Sequence, residues 1–410
     1  MSPQNSQEKT RFLRNALVLG LLTAIGPFAI DMYLPSLPSI GASLHADPDT
    51  TLLSLTAFFV SFAFSQLVYG PVSDMVGRKP PLYFGIGLFA LASIGCALAT
   101  DIHTLIALRL IQGLGGAAGM VIARAIVRDL HSGVDEARLL SLLMLVFSVS
   151  PLFAPLVGSF LIELVDWRLV FWFVTGAALL GIALVTLFIK ETRPPEARIG
   201  SSVAGVFTAY RVLFADRHFL GMTFIGSFAI AGFFVFLANS SFILMGHYHL
   251  TPTTYSIAFS VNAAAFFAAS QLNGWLGARF GLRAMVRPAL VGYAVAVAIL
   301  FALSVSGVDN IFLLGAFLFL SNAFLGLVIP VTSVLALAEH GPIAGTAASL
   351  MGTLQLATGA IVMAVSGGMN DGTVHPMVIG ISACALVAVV LGAVTLGVRD
   401  RGAAEARAAE

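Results

Sequence analysis

Two charged side chains and one amide stand where an apolar chain has little room for them. Asp31 is the only acidic residue that falls well inside an apolar run. A charge at such depth in a bilayer costs at least about 2.5 to 3.5 kcal/mol, so its presence needs a reason. One reason is chemical: a carboxyl there is a candidate to take up and release a proton. The other is structural, a cap on the turn at Pro35. Arg109 lies roughly five residues into a later run, where an arginine must snorkel or pair. Its fixed charge could steer the proton of a nearby carboxylate or orient a substrate oxygen; the plainer role is a static hydrogen bond to carbonyls of the first helix. Gln112, one turn further on, is a neighbour in the same network.

Other chemistries are missing from the sequence. There is no Walker loop, and the chain has only three lysines, so ATP is not expected to drive it directly. No G-x-S-x-G elbow occurs, and no enzymatic activity is expected. All eight histidines fall in or beside loops, which argues against a histidine relay inside the membrane. His247 and His249 are a weak metal pair with no third ligand in view, so neither a metal nor a cofactor is expected. A net charge of +1 gives no footprint for nucleic acid. Cys96 and Cys384 both lie in apolar runs, away from any disulfide.

The elements that must carry these residues follow from composition. Hydrophobic residues make up 58% of the chain and charged ones 10%, more apolar surface than a soluble core needs. Windows of about 20 apolar residues cross a bilayer core of roughly 30 Å. Twelve are expected, at 13–37, 51–73, 81–100, 104–128, 138–164, 167–189, 219–246, 253–277, 285–305, 310–337, 343–368 and 375–397. All are taken as helices, because lipid offers no partner to open backbone groups. The first is not a secretory signal: its apolar stretch continues past residue 30 with no small-residue cleavage site. Of the 21 Lys and Arg residues, Arg168 falls on one side, Arg109 within a span, and all the others on the opposite side. Positive residues stay cytoplasmic, which puts both termini and the middle loop inside.

The chain also repeats itself. Gly70 to Lys79 reads GPVSDMVGRK, and Gly274 to Arg283 reads GWLGARFGLR, with glycines and a terminal basic residue in register and Ala278 where the first copy has Asp74. Two homologous halves follow, each with a charged turn after its second span, the layout of a secondary transporter. Residues 1–189 form the N-terminal six-helix half, 190–218 a cytoplasmic linker, 219–397 the C-terminal half and 398–410 a tail. The linker holds Pro194, Pro195 and the Gly200, Ser201, Ser202 run; Val203 to Phe214 suits a short helix on the membrane surface.

These residues resemble the major facilitator superfamily. Gly70, Asp74, Gly77, Arg78 and Lys79 match its signature between helices two and three, with Met75 in place of the usual basic residue. Arg109, Gln112 and Gly113 match the fourth-helix signature of proton-coupled members. Pro151, Pro155 and Gly158 resemble the antiporter motif of drug/proton antiporters, with Ala154 and Ser159 replacing glycines. More narrowly, Ile30 to Pro38, Trp167-Arg168, Glu191-Thr192 and Ala344 to Ala347 resemble the Bcr/CflA branch of bicyclomycin and chloramphenicol exporters. The resemblance runs nearly end to end.

It implies an all-α membrane protein with twelve transmembrane helices in two pseudo-symmetric six-helix halves. Asp31, Arg109 and Gln112 would couple protons. Gly70, Asp74, Gly77, Arg78 and Lys79, with Asp129 as a further member, would latch the halves during gating, although a purely structural turn is the plainer role. The proline motif would restrict leakage, while packing alone accounts for the glycines as well. Tyr33, Phe233, Phe236, Asn239 and Asn322 are nominated for the substrate cavity, where aromatics and a few amides suit a moderately apolar drug. The implied function is proton-driven efflux of phenicol- or bicyclomycin-type compounds from the bacterial inner membrane. The alternative is proton-linked carriage of a native metabolite such as an amino-acid derivative or siderophore. The expected partners are a small-molecule substrate, protons and the bilayer, with the protein working as a monomer.

Overall fold

The computed structural model describes residues 3–198, 203–369 and 371–409. Gly200, Ser201 and Ser202 of the expected linker lie outside the described residues, as do the side chains of Lys9, Arg11, Arg399, Arg401 and Arg407. The chain packs as two compact units, Met1–Val206 and Phe207–Glu410. In the first, α1 (Pro3–Asp31) leads through a short helix (Leu34–Ser36) into α2 (Leu37–Ser43). There follow α3 (Pro48–Val76), α4 (Lys79–Leu98), α5 (Ile102–Leu130), α6 (Gly133–Leu164) and α7 (Arg168–Phe188). A short turn (Pro195–Arg198) and α8 (Val203–Ala215) connect to the second set. That set comprises α9 (Arg217–Ser241), α10 (Pro252–Gln271), α11 (Asn273–Phe280), α12 (Leu282–Val305), α13 (Ile311–Leu337), α14 (Ala344–Gly367) and α15 (His375–Ala409).

Among the described residues, eleven helices are long and apolar enough to cross a membrane. The expected eighth span is the exception. It forms a 20-residue helix, α10, but Thr253, Thr254, Tyr255, Ser256, Ser260 and Asn262 lower its hydropathy. It also ends at Gln271, so the expected 253–277 is split between α10 and α11. The first span is broken too: the apolar run over 13–37 predicts one helix, yet α1 stops at Asp31. Pro35 and Pro38 lack the N–H groups a continuous helix needs, and tighter turns carry the chain past them, with Ser36 N donating to Tyr33 O at 3.0 Å.

Helix starts are set locally. Asp47 accepts from Thr50 N at 2.8 Å ahead of α3, and Asp101 from Thr104 N at 2.9 Å ahead of α5. Asp216 and Asn310 open α9 and α13 in the same way. Each satisfies N–H groups the helix itself cannot.

The same packing scheme appears in both units. Helix α1 packs on α5, α6 and α7, α3 on α5, and α4 on α5 and α7. In the second unit α9 packs on α13, α14 and α15, α10 on α13, and α12 on α13 and α15. Counting spans in order, every pairing in one unit has its counterpart in the other, which is the structural form of the sequence repeat.

Candidate functional site

Asp31 is the last residue of α1, at the break that the prolines impose, and only 5% of it is exposed. Ser150 Oγ on α6 donates to its Oδ2 at 3.2 Å. No ion pair joins it to Arg109 among the described residues. Arg109 is fully buried on α5 and meets aromatic rings instead: its guanidinium carbon lies 4.3 Å from the ring centres of both Tyr33 and Phe58. Its Nη1 donates to Gln112 Oε1 at 2.5 Å and to the α1 carbonyl of Ala29 at 3.4 Å. Nε and Nη2 find no hydrogen-bond partner among the described residues.

The structure therefore brings Arg109 and Gln112 together and gives Asp31 a hydroxyl rather than a cation. Gln112 Nε2 donates to Ser93 Oγ at 2.7 Å, and Ser93 Oγ donates in turn to Phe89 O at 2.6 Å, so α4 fixes the amide's orientation. Tyr33, nominated for a cavity, is wholly buried; its hydroxyl pairs with Ser54 Oγ at 2.6 Å while its ring covers Arg109. Sequence reasoning missed Ser150, Ser93, Ser54 and Phe58. Small hydroxyls and one more phenylalanine carry no signal in spans already rich in both.

The charged turn after α3 is a second cluster. Arg78 Nε and Nη2 donate to Asp129 Oδ2 and Oδ1 at 2.7 and 3.0 Å, and Nη1 donates to Asp74 Oδ1 at 2.7 Å and Ser73 Oγ at 2.8 Å. Burial works against the Arg78 charge, but Asp129 and then Asp74 outweigh it and hold the guanidinium above its ordinary range. Thr192 Oγ1 donates to Asp129 Oδ2 at 2.8 Å. Glu191, quoted only as part of a motif, accepts the backbone N–H groups of Arg78 and Lys79 at 2.8 and 3.0 Å. Lys79 Nζ donates to Ile189 O at 2.9 Å, and Arg193 Nε to Asp74 O at 2.9 Å. Gly77 makes the turn with φ +101°, a region L side chains rarely adopt. Its repeat partner Gly281 does the same with φ +82°. Gly70 lies inside α3, one helical stretch before this turn.

Pro151 and Pro155 both fall within α6. Gly158 on the same helix lies against the backbone of Met32, so close that an added Cβ would overlap the Met32 carbonyl oxygen. This glycine lets α6 approach the α1 break next to Asp31.

In the second unit, Phe233, Phe236 and Phe259 form an aromatic cluster, the last two stacked at 5.5 Å. Asn239 donates to Ser366 Oγ at 3.1 Å and to Val235 O at 2.9 Å. Asn322 donates to Asn262 Oδ1 at 3.5 Å. These five nominated residues thus fall into separate places: Tyr33 at Arg109, the phenylalanines in one ring cluster, and each asparagine tied to a neighbouring helix.

Comparisons with known proteins agree with this architecture. A sequence profile of the Major Facilitator Superfamily matches residues 19–245. The chain is 36% identical to an uncharacterized MFS-type transporter, YdgK, of Bacillus subtilis, covering 88% of this chain and 90% of that one. It is 32% identical to a bicyclomycin resistance protein homolog of Haemophilus influenzae, covering 94% and 96%. Among solved structures, a D-xylose-proton symporter superposes with a TM-score of 0.73 at 16% identity, over 92% of this chain and 97% of that one; at that identity it speaks for the fold alone. The chain belongs to the Major Facilitator Superfamily, in its Bcr/CflA-like branch. It is a multi-pass membrane transporter rather than an enzyme, working on small molecules within a bilayer.

Proposed function

We propose that this transporter is a proton-driven exporter of drug-like compounds, of the bicyclomycin or phenicol type, working by alternating access as a monomer in the bacterial inner membrane with both termini cytoplasmic. The single observation that carries the reading is Asp31, a buried carboxyl at a break in α1, held among the described residues by one hydroxyl and by no cation. A permanently paired carboxylate would have no reason to exchange a proton; this one has an open reason. The name of the Haemophilus relative supports the substrate class.

The energetics suffice. One proton moving down 100 mV releases about 2.3 kcal/mol, enough for roughly a fifty-fold solute gradient. In this cycle Asp31 takes a proton from outside and gives it up inside as substrate binds. Arg109 and Gln112 shape the surroundings of that carboxyl, and the Asp74, Arg78, Asp129 turn acts in gating.

The test is accumulation of a phenicol, bicyclomycin and a panel of dyes in pump-deficient bacteria, for wild type and Asp31→Asn, with and without a protonophore. Lower accumulation with wild type, abolished by both the substitution and the protonophore, is expected. Export by folded, inserted Asp31→Asn at the wild-type rate would overturn the coupling assignment.

A further inference from the structure

At one end of the second unit the chain departs from regular geometry. Helix α9 widens after Ser241 into a π-helical turn, Phe242–His247. Tyr248 N reaches back to Ile243 O at 3.0 Å and Leu250 N to Leu244 O at 2.9 Å, with His249 left-handed at φ +56°. A widened turn and a non-glycine residue at positive φ both store strain and both recur where segments move or bind.

The consequence is a pair of adjacent side chains that share one acceptor. His247 Nε2 lies 2.7 Å from Asp309 Oδ2, and the Tyr248 hydroxyl donates to Asp309 Oδ1. Asp309 belongs to the loop between α12 and α13. The two rings meet edge to face at 4.7 Å. A cavity of about 240 Å³ adjoins the contact, bordered by Ser304, Asn310 and His375, and gives water access to it.

We propose that His247, Tyr248 and Asp309 form a proton-sensitive clasp that holds the end of α9 to the α12–α13 loop, tight in acid and looser as pH rises. The inference is independent of what the protein transports. Its sign follows from the groups present. Hydrogen bonds from Tyr248 and then His247 hold the Asp309 carboxyl below the usual carboxylate range, so it stays ionised. Burial and then Asp309 push the Tyr248 hydroxyl up, so it remains a donor. Imidazoles are the side chains that ordinarily titrate between pH 5 and 8. A doubly protonated His247 makes an ion pair with Asp309; a neutral one keeps a hydrogen bond to the carboxylate without the full charge on the ring. The other titratable groups at this end are His249, exposed beside the pair, Asp371 on the loop before α15, and His375, which opens α15. His375 Nδ1 is engaged with Ser304 Oγ at 2.6 Å, a contact that either protonation state can keep.

Hydrogen–deuterium exchange of the full-length protein in nanodiscs at pH 5.5 and pH 8, corrected for intrinsic rates, tests the clasp without any transport assay. Wild type should show amides of residues 247–250 and 307–309 protected about two- to five-fold more at the lower pH, the range of an exposed ion pair. His247→Gln can still donate to the Asp309 carboxylate but carries no titratable ring, and should make that ratio independent of pH. Asp309→Asn should do the same, while His375→Gln should leave the wild-type response intact. No pH response in wild type, a response that survives His247→Gln, or one abolished by His375→Gln would each overturn the proposal. Unchanged protection of α13 in every variant confirms that the fold is preserved.

Discussion

Arg78 grips Asp129 with two nitrogens across 51 residues of sequence, at 2.7 and 3.0 Å, and still has Nη1 free for Asp74. The two acids are not equivalent. Only 15% of the Asp129 side chain is exposed, against 45% of Asp74 and 5% of Arg78. Removing one partner from a largely buried pair strands the other, at about 3 to 5 kcal/mol, whereas an exposed pair is worth about 0 to 1 kcal/mol. Asp129→Ala should therefore lower the thermal midpoint of purified protein well below that of Asp74→Ala. The reverse order would show that Asp74, not Asp129, anchors the turn.

Gly77 and Gly281 occupy matching places in the repeat but differ in surroundings. A Cβ at Gly77 would lie 2.6 Å from Arg198 Nη2 and 2.9 Å from Glu191 Oε2, while one at Gly281 would meet nothing within 4 Å. Both alanine variants carry the penalty of about 1 to 3 kcal/mol for a side chain at positive φ with extended ψ, a region that only glycine adopts readily. Gly77→Ala should cost measurably more, since it also dislodges Glu191 from two backbone donors. Equal losses of thermal stability would mean that the Glu191 contact contributes nothing.

Glu191 supplies a pH dependence whose sign is fixed. Burial tends to raise its carboxyl, yet the N–H groups of Lys79, Arg78 and Arg193 prevail and hold it below the usual range. A carboxyl depressed in the folded state adds stability above its unfolded value, about 4.3, and loses it as pH falls through the folded value. The difference in thermal midpoint between wild type and Glu191→Ala should thus be full at pH 7 and shrink below about pH 4. A gap that widens in acid would contradict the assignment.

How far the sequence carried this picture depends on the scale of the interaction. Spans are legible because twenty apolar residues admit few other readings, and Asp31 and Arg109 are legible because lone charges in such runs are costly. Their partners are not. Ser150 lies 119 residues from Asp31, and serine is common in these helices. Glu191 acts on backbone N–H groups, which no residue type announces. The π turn at Phe242–His247 has no composition of its own. The end of α1 at Asp31 was foreshadowed by Pro35 and Pro38, although a single long span was the simpler expectation. Whether Arg109 met a carboxylate or aromatic rings depended on the packing of α1, α3 and α7 around α5, a tertiary fact.

That packing makes Arg109→Lys an informative change. The guanidinium lies 4.3 Å from two ring centres, Tyr33 and Phe58, and reaches Gln112 Oε1 at 2.5 Å. A planar, weakly hydrated cation can stack on rings and donate in its plane at once; an ammonium holds its water more tightly and cannot do both. Desolvated cation–π contacts are worth about 2 kcal/mol, so losing them corresponds to roughly thirty-fold. Arg109→Lys in proteoliposomes with an imposed pH gradient should therefore lose at least about ten-fold in transport rate, close to the loss in Arg109→Ala. The variant must elute as a single folded species for the rate to be read. A rate for Arg109→Lys near wild type would mean that a point charge at this depth is sufficient, and the aromatic stack would then serve packing alone.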